Sequence, residues 1–153
     1  PMASFARQFM HSDKRIFKIV LFDEAWALSS TRPGLKMMND LVREGRALNA
    51  GCMFIGHSVK DMRVEGIKNN ISYKFCFKAT DNEEINRVLD FLDLDPTEEN
   101  IQEIKSLENG QCLFQDLDKR VGKIKFDAVF EHLYKAFDTT PTKGKRGDAK
   151  DVS

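Results

Sequence analysis

The chain has 153 residues with 41% hydrophobic content, enough to bury one sizeable core and too few for two comfortable domains. Its 24 basic and 24 acidic residues cancel to a formal net charge of zero, which removes any global electrostatic case for nucleic acid or an anionic membrane. No apolar stretch is long enough to span a bilayer, and the opening PMASFARQFM lacks the organised apolar core of a signal peptide.

Residues 1–15 read as a lead-in. Residues 16–22, IFKIVLF, form a short unbroken apolar run rich in β-branched and aromatic side chains, as expected of a strand buried on both faces of a parallel sheet. After SSTRPG, residues 34–49 place Met38, Leu41, Val42, Gly45 and Leu48 at helical spacing, with Asn39, Asp40, Arg43 and Arg46 mostly on the other side. GCMFIGHS at 51–58 is a second apolar run and YKFCFKA at 73–79 a third; VKDMRVEGIKNNIS between them suggests an irregular turn and a short helix. Thr80 with Glu83 resembles a capping box opening a helix to about residue 92, and Asp95-Pro96 reads as cap and first position of another helix ending near Leu107. QCLFQDL and RVGKIKF predict a hairpin around Asp118-Lys119, followed by a helix over 127–137. Residues 138–153 have almost no apolar side chains and are expected to be disordered. The odd-numbered, scattered Cys52, Cys76 and Cys112 each lie in an apolar run, which suits reduced core thiols in a cytosolic protein.

Strand, helix, strand, then helices and a hairpin imply an α/β fold, parallel at least in its first part. A helix of about sixteen residues at roughly 1.5 Å each returns about as far as a seven-residue strand advances, so the second strand can start beside the start of the first. Ligands meet parallel sheets at the carboxyl ends of their strands. Asp23 and Glu24 leave the first strand there and point in different directions, one able to face a hydrated Mg²⁺, the other a water attacking a phosphate. Four apolar residues followed by Asp-Glu is the Walker B pattern, although apolar strands also end in acidic loop residues for no catalytic reason. His57-Ser58 should emerge beside the pair, where His57 can sense a phosphate or serve as an ordinary surface residue. Arg43, Arg46 and Arg120 could contact nucleotide or a neighbouring subunit, although two arginines on one helical face more often form a solvated polar surface. Trp26, the single tryptophan, reads as loop packing or a base-stacking platform.

VLFDEAWAL, VREGRALNAGCMFIGHSV, FKATDNEEINRVLDFLDL and LENGQCLFQDLDKRVGKIKF, in this order, resemble the carboxyl-terminal half of type IV secretion and conjugative-transfer ATPases, the VirB-four, TraC and TraE-like group. These belong to the RecA-like HerA/FtsK branch of P-loop NTPases, and the resemblance covers roughly residues 16–137. It implies a homo-hexameric motor at the cytoplasmic face of the bacterial inner membrane, docked on secretion-channel components and using ATP and Mg²⁺. Carried over by position, Asp23 and Glu24 are the Walker B pair, with Asp23 on Mg²⁺ through water. His57 stands where the sensor strand usually ends in Gln, Arg43 and Arg46 lie in the arginine-containing helix, and Arg120 matches a late arginine thought to reach nucleotide. The usual glycine before that arginine is Lys119.

No G-x-x-x-x-G-K-[ST] occurs in these residues, and TKGKRGDAK lacks its spacing and flanking elements. The chain is therefore expected to be a fragment without the phosphate-holding half, or to work with a partner that carries it. Two other readings stand beside the motor: a non-catalytic docking or oligomerisation module of the secretion complex, and part of a HerA/FtsK-like DNA translocase, for which the net charge offers no support.

Overall fold

A computed structural model describes residues 2–62, 68–127 and 130–137. The lead-in contains a helix, α1 (Met2–Met10). Ala6 and Met10, four apart and so on one face, are buried, while Arg7 reaches Asp40 at 3.4 Å and His11 reaches Glu44 at 3.2 Å.

Strand β1 (Lys18–Phe22) starts two residues later than the apolar run suggests. A short helix α2 (Trp26–Ser29) follows, then α3 (Arg32–Glu44), whose amino terminus is fixed by the Thr31 hydroxyl accepting the Gly34 N–H at 3.1 Å. The helix expected over 34–49 is thus earlier at its start and shorter at its end. At Gly45 the chain tightens into a 3₁₀ turn, Gly45–Leu48, and Asn49 (φ 51°) turns it into β2 (Ala50–Phe54). The turn is close to β2: a Cβ on Gly45 would lie 2.6 Å from the Ala50 carbonyl oxygen.

β1 and β2 pair in parallel with Lys18 opposite Ala50 and Phe22 opposite Phe54, so the two strands do start side by side. Expected burial on both faces is not found. Val20, Phe22 and Cys52 pack with Met37, Leu41 and Leu48, but Ile19, Leu21, Met53 and Ile55 on the other face are 43–57% exposed. An apolar run with no alternation marks two apolar faces, and α3 covers only one of them.

The third apolar run is β3 (Lys74–Phe77), in a separate antiparallel sheet of order β3-β4-β5. Helix α4 (Asn82–Phe91) is capped by Asp81 rather than Thr80, the Asp81 carboxylate accepting the Glu84 N–H at 2.9 Å. Helix α5 (Glu98–Ser106) is capped by Thr97, so Pro96 precedes the cap instead of opening the helix. β4 (Gln111–Gln115) and β5 (Val121–Lys125) form the expected hairpin, and α6 (Glu131–Phe137) starts four residues later than expected. Lys119 adopts φ 62° in the hairpin turn, the left-handed conformation that glycine takes most easily, so the turn keeps a glycine-like backbone without glycine. The tail expected to be disordered lies outside the described residues, and so do residues 63–67 of the segment after β2, which otherwise forms two 3₁₀ turns, Val59–Met62 and Lys68–Asn70.

Cys76, Ile85, Val88, Leu89, Leu92, Ile104, Leu107 and Leu113 build the core between this sheet and its helices. Two buried polar side chains close the carboxyl end of α4, where carbonyls lack helical partners: Lys74 Nζ donates to the Phe91 carbonyl at 2.7 Å and Gln115 Nε2 to the Leu92 carbonyl at 2.6 Å. All three cysteines are free, and burial pushes the thiols of Cys52 and Cys76 up to about 11 and about 12.

Candidate functional site

The β1–β2 ladder continues one step past the strands. The Ile55 N–H donates to the Phe22 carbonyl at 2.9 Å and the Ala25 N–H to the Ile55 carbonyl at 2.8 Å. These bonds hold the turn 23–25 beside the segment leaving β2, and Ala25, fully buried against Met38, pins the turn from below. Asp23 and Glu24 are left exposed at the carboxyl end of β1.

Glu24 has φ 54°, a left-handed conformation that costs a residue with a Cβ about 1 kcal/mol and persists only where its surroundings impose it. Three contacts surround it here. Its own N–H donates to Asp23 Oδ1 at 3.0 Å; Trp26 Nε1–H donates to Oε2 at 2.6 Å; and His57 Nε2 lies 2.8 Å from Oε1. An ionised carboxylate only accepts, so His57 carries its proton on Nε2 in this contact. The indole bond first and the imidazole second hold the Glu24 carboxyl below its ordinary value, which makes it a weak base better suited to orienting a water than to keeping its proton. The imidazole is 83% exposed and the carboxylate 48%, so this contact adds little to stability.

The segment that carries His57 is anchored by helix α4. Ser58 Oγ donates to Glu84 Oε2 at 2.8 Å and the Val59 N–H to Glu84 Oε1 at 2.7 Å, while Arg87 reaches Glu84 at 3.1 Å and Glu83 at 2.7 Å. Burial alone would push the Glu84 carboxyl up; the Val59 N–H, the Ser58 hydroxyl and Arg87 outweigh it and leave it below its ordinary 4.5. A group with a lowered folded pKa stabilises the fold above its unfolded pKa and loses that contribution as pH falls through the folded value. Glu84→Gln is therefore expected to lower stability at pH 7 by about 1–2 kcal/mol, with the deficit shrinking below pH 4.5. Urea denaturation of both proteins at pH 7 and pH 3.5 checks this; a pH-independent difference counts against it.

Asp23, Glu24 and His57 thus come together as their positions in the sequence suggest. The arginines do not join them: no hydrogen bond or ion pair among the described residues links Arg43, Arg46 or Arg120 to the trio. Arg43 closes α3 and Arg46 lies on the 3₁₀ turn beyond it, both exposed. Arg120 is held by its own hairpin turn, donating Nε–H to Asp116 at 2.8 Å and lying 2.9 Å from Asp118. Trp26 is 48% exposed, which sets aside the loop-packing reading, and its N–H is committed to Glu24.

Among the described residues no group of three His, Cys, Asp or Glu side chains could cage a metal. Asp23 by itself fits Mg²⁺ nonetheless, because that ion keeps several waters and takes one or two carboxylates together with phosphate oxygens. One oxygen of Asp23 accepts the Glu24 N–H, and its second oxygen makes no hydrogen bond among the described residues.

Comparison with known proteins gives a consistent result. The AAA-like domain family matches residues 2–137. The uncharacterized protein YddE of Bacillus subtilis (strain 168) is 31% identical over 134 residues, a match that takes in 88% of this chain and 16% of that protein. Among solved structures, VirB4 of Thermoanaerobacter pseudethanolicus superposes with a TM-score of 0.67 at 21% identity, over 83% of this chain and 35% of that one. The genome packaging NTPase B204 from Sulfolobus turreted icosahedral virus 2, in complex with ATP-gammaS, gives 0.59 at 14% identity, over 80% of this chain and 61% of that one. The chain therefore shares the α/β fold of these solved structures and spans a minor part of VirB4 and of YddE.

Proposed function

Because the chain belongs to the AAA-like domain family, we propose that it supplies the carboxylate-bearing part of an ATP-hydrolysing site in a motor that energises type IV secretion or conjugative DNA transfer. One observation carries the reading: Asp23 and Glu24 leave β1 at its carboxyl end, and a histidine from the segment that follows the neighbouring parallel strand is hydrogen-bonded to Glu24.

In this reading Asp23 would hold Mg²⁺ through water, and the ion, when bound, would supply charge neutralisation at the phosphate oxygens. Glu24 accepts a hydrogen bond from the attacking water and aligns it. His57 keeps Nε2 on Glu24, and a protonated ring can present its other donor, Nδ1–H, to a γ-phosphate oxygen. Exposed Arg43 and Arg46 are available to nucleotide or a neighbouring subunit, whereas Arg120 has to trade two carboxylates for phosphate. The partners proposed are further copies in a homo-hexamer and components of the secretion channel at the cytoplasmic face of the bacterial inner membrane. Among the described residues no helix is long and apolar enough to cross a membrane.

The phosphate-cradling loop is missing from these 153 residues. Phosphate release from MgATP is accordingly expected to be absent from the chain alone and to appear in an assembly that adds such a loop. Turnover by the chain alone, abolished by Glu24→Gln, overturns that division of labour. The second reading, a non-catalytic docking module for the same secretion complex, draws on exposed apolar side chains of both sheets, Ile19, Leu21 and Met53 on the first and Phe75 and Phe77 of β3 on the second. It is favoured if the loop-bearing assembly hydrolyses ATP equally well with Asp23→Asn.

A further inference from the structure

We infer that Trp26 is a positioning residue for Glu24: its indole N–H and the His57 imidazole grip the two carboxylate oxygens from different elements and set the direction in which that carboxylate meets a water. The inference rests on the reading of Glu24 as the water-aligning group.

Tryptophan ordinarily contributes to a protein by burying a large apolar ring, with its N–H satisfied as a secondary matter. Trp26 does the reverse. It is 48% exposed and absent from the buried clusters, while the neighbouring Ala25 is wholly buried and fills the space beneath the turn. What the indole does make is a 2.6 Å bond to Glu24 Oε2, at the short end for a donor facing an ionised acceptor.

The geometry explains why two donors are needed. A glutamate side chain turns about three bonds, and one hydrogen bond leaves the carboxylate free to swing about the bonded oxygen. Trp26 approaches from the first residue of α2 and His57 from the segment after β2, one donor on each oxygen, which removes that swing. Each oxygen retains a lone-pair site, so the grip directs the carboxylate without using up its capacity to accept from water.

The seat of the indole is itself rigid. The Ala25 N–H is tied to the Ile55 carbonyl at 2.8 Å, the Ala27 N–H to the Glu24 carbonyl at 3.0 Å, and α2 lies against α3 so closely that Gly34 has no room for a Cβ beside the Leu28 carbonyl. The indole is therefore presented to Glu24 by backbone contacts that do not depend on the carboxylate.

The chain contains one tryptophan, so a ¹⁵N-labelled sample shows a single indole N–H resonance. In the unmodified chain that proton is expected well downfield of free indole. Glu24→Gly, which suits the left-handed backbone and removes the carboxylate without strain, should return it to the free-indole position, and His57→Ala should leave it downfield. An indole resonance already at the free position, or one that Glu24→Gly does not move, overturns the inference.

Turnover gives the functional arm, in the loop-bearing assembly proposed above. There Trp26→Phe should lower kcat for MgATP about tenfold with KM unchanged, as expected when a reacting group loses its alignment. Wild-type kcat in Trp26→Phe, in an assembly that Glu24→Gln inactivates, also overturns it. If Glu24→Gln leaves turnover intact, the reading of Glu24 fails instead, and the indole resonance still decides the contact by itself.

Discussion

In an assembly that adds the phosphate-cradling loop, Glu24→Gln is expected to reduce ATP turnover by about a hundredfold or more while leaving MgATP binding within about twofold of the original. The substitution keeps the length of the side chain and one acceptor oxygen, so the left-handed turn at residue 24 and the bond from Trp26 can both survive it. What it removes is the charge and the second acceptor. An amide presents an NH₂ group to one of the two donors that now face Glu24, and the mismatch falls on His57 or Trp26. Nucleotide affinity comes from phosphate and metal contacts, to which Glu24 contributes little in this arrangement, so the loss should appear in kcat and not in KM. Asp23→Asn should behave differently, raising the Mg²⁺ concentration needed for turnover. Steady-state phosphate release at varied MgATP separates the two; an equal rise in KM for both variants counts against distinct roles for the adjacent carboxylates.

Much of this site was legible because it follows from strand chemistry. An apolar run ending in Asp23-Glu24, a crossover of matching length, and a second run ending at His57 are enough to bring three side chains to one edge, since parallel strands put their carboxyl ends together. Trp26 was visible as a residue but not as a donor, because its contact depends on the left-handed backbone of Glu24 and on a four-residue helix that leaves no periodic pattern. Glu84 carried a misleading signal. Thr80-x-x-Glu83 and Asp81-x-x-Glu84 are both capping patterns one residue apart, and the second is used at its amino end only, since the Glu84 carboxylate goes to Ser58 and Val59. A contact across 26 residues has no local signature. Helix α1 could have been found from Ala6 and Met10 at helical spacing, although nine residues give little periodicity to judge. The bare face of the first sheet was hidden for the opposite reason: an apolar run states that two faces are apolar, not which of them the chain itself covers.

Gly34→Ala is expected to lower the stability of the fold by about 3 kcal/mol, near the upper end for overpacking, and to loosen the site as it does so. A Cβ at this position would lie 2.0 Å from the Leu28 carbonyl oxygen and 2.9 Å from the Thr31 hydroxyl. Neither neighbour can step aside cheaply: the Leu28 carbonyl accepts the Thr31 N–H at 3.2 Å, and the hydroxyl is the cap of α3. The clash must be relieved by moving α2 away from α3. Trp26 is the first residue of α2, so the same movement draws the indole from Glu24. Gly122 provides the contrast, because a Cβ there meets nothing within 4 Å, and Gly122→Ala in exposed β5 should be neutral or stabilising by up to about 1 kcal/mol. Urea midpoints measure the first effect and the tryptophan indole resonance the second. A Gly34→Ala chain that keeps both its midpoint and its indole position would show that α2 yields without cost, and that the seat of Trp26 is softer than its backbone contacts imply.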